Sequence, residues 1–345
     1  MAYPKKKEDP SYQELRKELS EGKAGNLYVF HGEETYLRDR SLEEMKALLL
    51  TGGLDDFNYH TLTGKDVTLE RLHQLVDAIP MMSERTMVVV IDYDMDKGDR
   101  EGLIELLSDL PEYVCLIFVY DVIEYKPDNR SKLPKLVKEK GKVVNFLRQD
   151  QARLGKWVAV RFQALGHEIG KADAEYLIFR CGDLMTGLIS EIGKVGAYAK
   201  AQRITRQDID AVTTPQLDAV IFNLTDAIAA GNFDRAFSVL GELLQMQEPA
   251  IKLLAALGKQ LRQLYTARLA LEERKSLSWY MEMWGVRREF QAQKLMQSAR
   301  KFSLEWYRWA LLRCEEADLA LKSTGADGQE VLIELLLALE GKRAS

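Results

Sequence analysis

Short apolar runs alternate with amphipathic segments near the start of the chain, and this alternation constrains the fold more than any other feature. The apolar runs lie at 27–30, 57–62, 87–91, 114–119 and 143–146, and helical patterns lie between them at 34–50, 68–79, 99–109 and 130–140. Residues 88–91 and 116–119 are apolar at every position, which is typical of strands covered by helices on both faces. The alternation predicts a parallel α/β domain, which we place at residues 1–148.

The remainder of the chain is predicted to be helical, because its apolar residues recur every three or four positions. Three such stripes are residues 233, 237, 240 and 244, residues 254, 257, 261 and 264, and residues 304, 307, 311, 314 and 321. Thr213-Thr214-Pro215 suits the start of a new helix, since Thr favours the N-cap and Pro the first turn. We therefore expect a small helical domain at 149–213 and a larger helical bundle at 214–345.

Charge and cysteine content indicate a cytoplasmic protein. A net charge of −5 over 345 residues is too small to mark the whole chain as a nucleic-acid or membrane binder. Cys115, Cys181 and Cys314 are few and far apart, which suits a reducing compartment. The basic N-terminus lacks the apolar segment of a signal peptide, and no stretch has the apolar length of a transmembrane helix.

The segment after the first strand lacks the residues that bind nucleotide phosphates in α/β domains. A phosphate-binding loop is rich in glycine and ends in Gly-Lys-Ser/Thr, because backbone N–H groups and the lysine hold the phosphates. Here residues 31–38 contain one glycine, two glutamates and no lysine. Asp92 and Asp94 after the third strand have the outline of a magnesium site, although acidic residues that cap a strand are the simpler interpretation.

The other polar residues give no sign of a catalytic, cofactor or metal site. The four histidines have no partner at metal-ligand spacing, and no two cysteines have CxxC spacing. Adjacent glutamates such as Glu43 and Glu44 point about 100° apart on a helix, so they are typical of a solvated surface. We expect no intrinsic catalysis and no cofactor.

Several motifs, in order along the chain, resemble the clamp-loader delta subunits of bacterial DNA polymerase III. Residues 27–37 resemble the family's first strand followed by Gly-x-Glu-x-x-Leu in place of a phosphate loop. Residues 78–90 resemble its helix end, short clamp-binding motif, arginine and next strand. Further similar segments are residues 128–133, 188–198, 204–209 and 320–323.

This resemblance implies an AAA+-like α/β domain without a phosphate-binding loop, a small helical lid domain and a C-terminal helical collar. It also implies a non-catalytic subunit of the DNA polymerase III holoenzyme that binds and opens the beta sliding clamp. The implied partners are the clamp, the gamma/tau ATPase subunits, the delta-prime subunit and, in the assembled complex, primer–template DNA.

Met81 and Met82 are the candidate clamp-binding residues, because they match the family's clamp-binding motif, which is commonly Leu followed by Phe. They follow an amphipathic helical pattern that includes Ile79, and Pro80 marks the end of that helix. Methionine is flexible and adapts to a partner's pocket. The alternative is that both side chains only cover the edge of the sheet.

Trp306, Trp309 and Arg313 are a candidate surface for subunit contact or DNA stacking, because they lie off the apolar stripe of their helix. The alternative is that both rings belong to the core of the bundle. A basic run from Lys126 to Lys142 could help to hold DNA phosphates, but such a run is more often a solvated face.

Other protein types remain as alternatives. An ATP-hydrolysing AAA+ subunit needs Lys-Ser/Thr at the first strand–helix junction, which this sequence lacks. A delta-prime-like stator usually carries a Cys-rich zinc module and a Ser-Arg-Cys motif, and neither occurs here. A helical scaffold unrelated to clamp loaders is the third alternative.

Overall fold

The computed structural model describes residues 9–51, 55–64, 66–128, 130–286, 289–323 and 325–342. The chain divides into two compact units. The first, here called the α/β unit, runs to residue 149 and includes residues 184–186, and the second, the helical unit, contains residues 150–183 and the chain from residue 187 onward. No helix within the described ranges combines the length and hydropathy needed to cross a bilayer.

Five parallel strands form the centre of the α/β unit in the order β2-β3-β4-β1-β5. Their bounds are Leu27–His31 for β1, Tyr59–Thr63 for β2, Thr86–Ile91 for β3, Val114–Val119 for β4 and Lys142–Asn145 for β5. In the register of the sheet, Leu116 of β4 lies between Leu27 of β1 and Val88 of β3. Each strand lies within two residues of the apolar run that predicts it.

Helices and buried side chains cover both faces of this sheet. The helices are α1 Ser11–Ser20, α2 Thr35–Leu49, α3 Asp55–Asn58, α4 Leu69–Val76, α5 Arg100–Ser108 and α6 Lys132–Lys140. On one face, Leu116 packs in a core with Leu103 of α5 and Val137 of α6. On the other, the rings of Phe30 and Phe146 meet edge to face at 5.0 Å. Burial on both faces explains why the central strands are apolar throughout.

Over the residues that the structure describes, the helical unit contains eleven α-helices and one small pair of strands. In chain order the elements are α7 Gln151–Ala164, β6 Glu168–Ile169, α8 Lys171–Cys181, α9 Met185–Tyr198, β7 Arg203–Ile204, α10 Arg206–Val212, α11 Leu217–Ala229, α12 Phe233–Gln245, α13 Ala250–Glu272, α14 Leu277–Trp284, α15 Glu289–Ser298, a short 3₁₀ helix Ala299–Lys301, α16 Leu304–Ser323 and α17 Gly328–Gly341. The parallel pair β6–β7 corrects the expectation that strands end near residue 148. Two-residue strands are too short to produce an alternating pattern.

One apolar core, formed by α11 to α17, occupies the C-terminal part of the helical unit. The predicted stripe on α13, Leu254, Leu257, Leu261 and Leu264, is buried along its whole length. Phe179 of α8 enters the same core and meets Phe222 of α11 edge to face at 5.1 Å. The parallel sheet of the first unit and the helices of the second confirm the predicted mixed fold class.

Candidate functional site

The segment between α4 and β3, residues 77–85, exposes three large apolar side chains, and we call this segment the tip. Ile79 is 84% exposed, Met81 51% and Met82 78%. The helical pattern predicts Ile79 on the buried face of α4, and this is wrong because the helix ends at Val76. The exposure of Met81 and Met82 suits an anchor for a partner better than cover for the sheet.

The backbone of the tip is held by Asn58, a buried residue at the end of α3. Its Oδ1 accepts a hydrogen bond from the N–H of Met81 at 2.8 Å, and its Nδ2 donates to the C=O of Met81 at 2.8 Å. The next residue, Met82, has a φ of +53°, a left-handed conformation that is uncommon for residues other than glycine.

Arg85 fixes the other end of the tip to the body of the unit. Its guanidinium donates to the carbonyl oxygens of Ala24, Gly25 and Val114 at 2.7, 2.9 and 3.1 Å. One planar fork with several N–H donors can satisfy three carbonyls at once, which a lysine could not do with the same geometry. Arg85 belongs to the motif at residues 78–90 that resembles the delta family. Asn58 lies 23 residues before Met81, so no local sequence pattern connects it with the tip.

Carboxylates occupy the junction after β1, where nucleotide-binding domains hold phosphates. Glu33 accepts from Nε of Arg148 at 2.5 Å. Glu34 is fully buried, and both of its carboxylate oxygens lie 3.3 Å from the N–H of Met185. A triphosphate placed here would meet two negative groups instead of a glycine-rich backbone cradle.

Asp92, at the position that suggested a magnesium site, holds a loop. Its Oδ1 accepts from the backbone N–H groups of Asp121, Val122 and Ile123 at 2.8, 2.9 and 3.2 Å. These three residues begin two positions after the end of β4, the strand beside β3. The carboxylate therefore ties two neighbouring strand ends together, which agrees with the capping interpretation.

Trp306 lies in the core of the helical unit, so the expectation of an exposed tryptophan pair is wrong for this ring. It is 4% exposed and stacks on Phe302 at 3.7 Å between ring centroids. Its Nε1 donates to the C=O of Lys342 at 2.8 Å. The buried face of α16 consists of Trp306, Tyr307, Ala310, Cys314 and Ala317, so it includes Tyr307 and Cys314 of the predicted stripe and extends beyond that stripe.

Trp309 and Arg313 lie beside this core, and both are half-buried. The guanidinium carbon of Arg313 is 5.9 Å from the Trp309 ring centroid, and Nζ of Lys342 is 4.8 Å from it. Arg313 also forms an ion pair with Glu316 on the same helix. Two cations at one ring leave less of its face open for stacking with a base.

The exposed apolar residues of this region are aliphatic, and the sequence analysis missed them. They are Leu312 and Leu319 on α16, and Ile333 and Leu337 on α17. Leu312 and Leu319 are seven residues apart, which places them on the same side of α16, away from its buried face. The seven-residue spacing of Leu312 and Leu319 was the available signal in the sequence.

The basic run on and around α6 is partly engaged within the chain. Lys126 pairs with Glu124 at 2.7 Å, Nζ of Lys140 donates to a carbonyl oxygen at 2.5 Å, and Lys142 pairs with Glu18. These contacts support the interpretation of a solvated face for at least part of the run.

Two family models match the chain, and they fall on its two units. The model described as DNA polymerase III, delta subunit, matches residues 28–147, and the model of the delta subunit's C-terminal domain matches residues 218–339. The chain belongs to the DNA polymerase III delta subunit family. The resemblance seen in the sequence motifs is thereby confirmed, and the chain is a subunit of the DNA polymerase III holoenzyme.

Individual relatives agree with this family. DNA polymerase III subunit delta of Bacillus subtilis (strain 168) is 23% identical over 332 residues, which cover 93% of this chain and 94% of that protein. The Escherichia coli (strain K12) subunit delta is 22% identical over 253 residues, 72% of each chain. The solved Bacillus subtilis DNA clamp loader delta protein matches with a TM-score of 0.55 and 21% identity, covering 96% of this chain and 100% of that one. This likeness shows a shared fold.

Within this delta family member, the tip lies inside the range matched by the first model, and the exposed aliphatic residues of α16 and α17 lie inside the second. The two surfaces therefore belong to the parts of the chain that carry the family's sequence pattern.

Proposed function

We propose that this chain binds the beta sliding clamp through its tip and opens the clamp for loading onto primed DNA in the cytoplasm. The observation that carries the proposal is the exposure of Ile79, Met81 and Met82 at one short segment of a delta family member. Exposed apolar side chains at a fixed segment are suited to a partner's pocket, where a few such residues supply most of the binding energy.

The two methionines are expected to act as binding hot spots. Truncation of each should cost roughly 1–3 kcal/mol of binding free energy, a factor of about 5 to 100 in affinity. Each truncation should change the free energy of unfolding only slightly, because side chains that are exposed in the folded protein bury little area on folding.

The direct test measures clamp binding by Met81→Ala, Met82→Ala and the double variant with surface plasmon resonance. Val122→Ala is the matched control, because Val122 is a large apolar residue of the same unit that is exposed away from the tip. We expect the double variant to bind about 25-fold more weakly or worse, with an unchanged melting temperature and wild-type binding by the control. A folded double variant with wild-type affinity would show that the clamp site lies elsewhere.

The chain is further proposed to work without binding or hydrolysing ATP. The support is the junction after β1, which carries Glu33 and the buried Glu34 and lacks the glycine-rich loop with Lys-Ser/Thr that holds phosphates. Calorimetric titration with MgATP should give no saturable heat. Saturable binding in the micromolar range would contradict this part of the proposal.

The helical unit is proposed to join the collar with the gamma/tau ATPase subunits and the delta-prime subunit, and primer–template DNA would then be held by the assembled complex. The outer faces of α16 and α17, with Leu312, Leu319, Ile333 and Leu337, are the surface that fits this role. Helices that enter a shared collar need apolar side chains beyond those that their own core buries.

A further inference from the structure

The buried side chain of Asn58 contacts the backbone of the tip through two hydrogen bonds. We propose that Asn58 is a positioning residue, which holds the peptide of Met81 so that Met81 and Met82 remain exposed in the conformation that enters the clamp. The inference rests on the proposed function of the tip.

The geometry of the contact is specific to a primary amide. The Oδ1 and Nδ2 atoms of Asn58 meet the N–H and the C=O of the same residue, Met81, each at 2.8 Å. A side-chain amide offers both an acceptor and donors, so it can satisfy both backbone groups of one residue. Alanine can replace neither bond, and an ionised aspartate can only accept.

Asn58 is itself fixed to the sheet. It directly precedes β2, and the first residue of that strand, Tyr59, lies beside Met87 of β3 in the parallel register. Its side chain is buried, so its rotamer is restricted by its surroundings. The amide therefore holds the middle of the tip at a fixed position relative to the sheet.

The tip needs such a support because its conformation is costly on its own. Met82 adopts a φ of +53°, which a residue with a Cβ disfavours, and Ile79, Met81 and Met82 expose apolar surface to water. Without the Asn58 contact, other conformations of the tip should become populated. Apparent affinity falls in proportion to the fraction of molecules in the binding-competent state.

Asn58→Ala is therefore expected to weaken clamp affinity about tenfold, mainly through a slower association rate. Amide hydrogen exchange should show lost protection at Met81 in the unbound variant, since the acceptor of its N–H is removed. Thermal unfolding establishes that the variant is folded.

Asn58→Asp is the sharper variant, because its shape is the same and its hydrogen bonding changes with protonation. At neutral pH the carboxylate accepts from the Met81 N–H but repels the Met81 C=O, so affinity should be lower than in wild type. Burial and the facing Met81 C=O should raise the pKa of this carboxyl above its ordinary value of about 3.9. As the pH is lowered from about 8 to about 4, the protonated carboxyl regains a donor, and the affinity relative to wild type should recover. A loss that stays constant over this range would overturn the hydrogen-bonding role.

Asn26→Ala is the matched control. Asn26 also uses its Nδ2 to hold a backbone carbonyl of the α/β unit, that of Pro111 at 2.9 Å, which lies outside the tip. Its removal should leave clamp affinity at the wild-type value. Equal losses in Asn26→Ala and Asn58→Ala would mean that general loosening of the unit explains both.

A double-mutant cycle separates this inference from the proposed function. In the Met81→Ala/Met82→Ala background, Asn58→Ala should cause no further loss, because neither methionine side chain remains to be positioned. If the methionine variant is weak while folded Asn58 variants bind normally, the positioning role is wrong and the clamp site stands. If the methionine variant binds normally, the clamp site itself is wrong.

Discussion

The tip and helix α16 each carry a pair of large apolar residues, but the two pairs differ in their exposure to solvent. Each has a pair of large apolar residues that the helical periodicity leaves unassigned, Met81 and Met82 in the tip and Trp306 and Trp309 in α16. Both methionines are exposed, whereas Trp306 is buried and Trp309 is half-buried. The packing around a segment, more than its own pattern, decides which large side chains are exposed.

The difference has a local physical cause. The tip follows a helix that ends at Val76, and Pro80 lacks the N–H that a continuing helix needs. By contrast, α16 runs unbroken for 20 residues. Its residues 306 and 307 point about 100° apart, yet both are buried, because the core of the unit wraps around a wide face of the helix. A narrow stripe predicted from spacing underestimates such a face.

Among the variants that test this comparison, Trp306→Ala is expected to have the largest effect, which is on stability. Loss of a buried aromatic ring, with its stack on Phe302 and its hydrogen bond to Lys342, should lower the free energy of unfolding by about 3–5 kcal/mol. Denaturation with urea, followed by circular dichroism, measures this change.

Trp309→Ala is the control for that experiment, and its half-buried ring should cost about 1 kcal/mol. Clamp binding by both variants should remain at the wild-type level under conditions in which they are folded. The comparison would break if Trp306→Ala unfolded like wild type but failed to assemble with other loader subunits.

The sheet could be predicted from the sequence because the rule behind it is local. The runs at 87–91 and 114–119 are apolar on both faces, and a parallel strand buried on both faces has this pattern wherever it occurs. The family could also be identified from the sequence, because its motifs combine a few fixed residues with a fixed order along the chain.

What could not be predicted depends on contacts between distant residues. The exposure of Ile79 follows from where α4 ends, and the path of the tip depends on Asn58, 23 residues before Met81. The burial of Trp306 depends in part on Lys342, 36 residues after it. Asn58 and Lys342 both lie outside the helical pattern that they affect. Helical spacing alone therefore predicts the wrong surroundings for Ile79 and Trp306.

A second prediction concerns the face of α16 that lies opposite its buried face. Leu312→Asp together with Leu319→Asp should weaken assembly with the gamma/tau and delta-prime subunits by about 10- to 100-fold. Both side chains are more than half exposed, so the stability of the chain should change by less than about 0.5 kcal/mol. Size-exclusion chromatography of the reconstituted loader measures the effect.

The control for this variant is Val160→Asp, which places the same charge on an exposed apolar residue of α7 in the helical unit. It should assemble normally. If the Leu312/Leu319 variant assembles like wild type, these residues do not belong to the collar surface. The helical unit would then have no exposed apolar face on α16 with a binding role to compare with the tip.

The smallest expected effect tests whether the tip keeps its left-handed residue in solution. Met82→Gly and Met82→Ala remove the same anchor, but only glycine adopts a φ near +53° without a steric cost. Met82→Gly should therefore be more stable than Met82→Ala by about 1 kcal/mol, measured by urea denaturation. At Met81, whose φ lies outside the left-handed region, the order should reverse, because glycine there only adds freedom to the unfolded chain. Clamp affinity should not follow stability, since Met82→Gly lacks the anchor and should bind no better than Met82→Ala. If alanine is at least as stable as glycine at position 82, the strained conformation of the tip is not the one that the free protein holds.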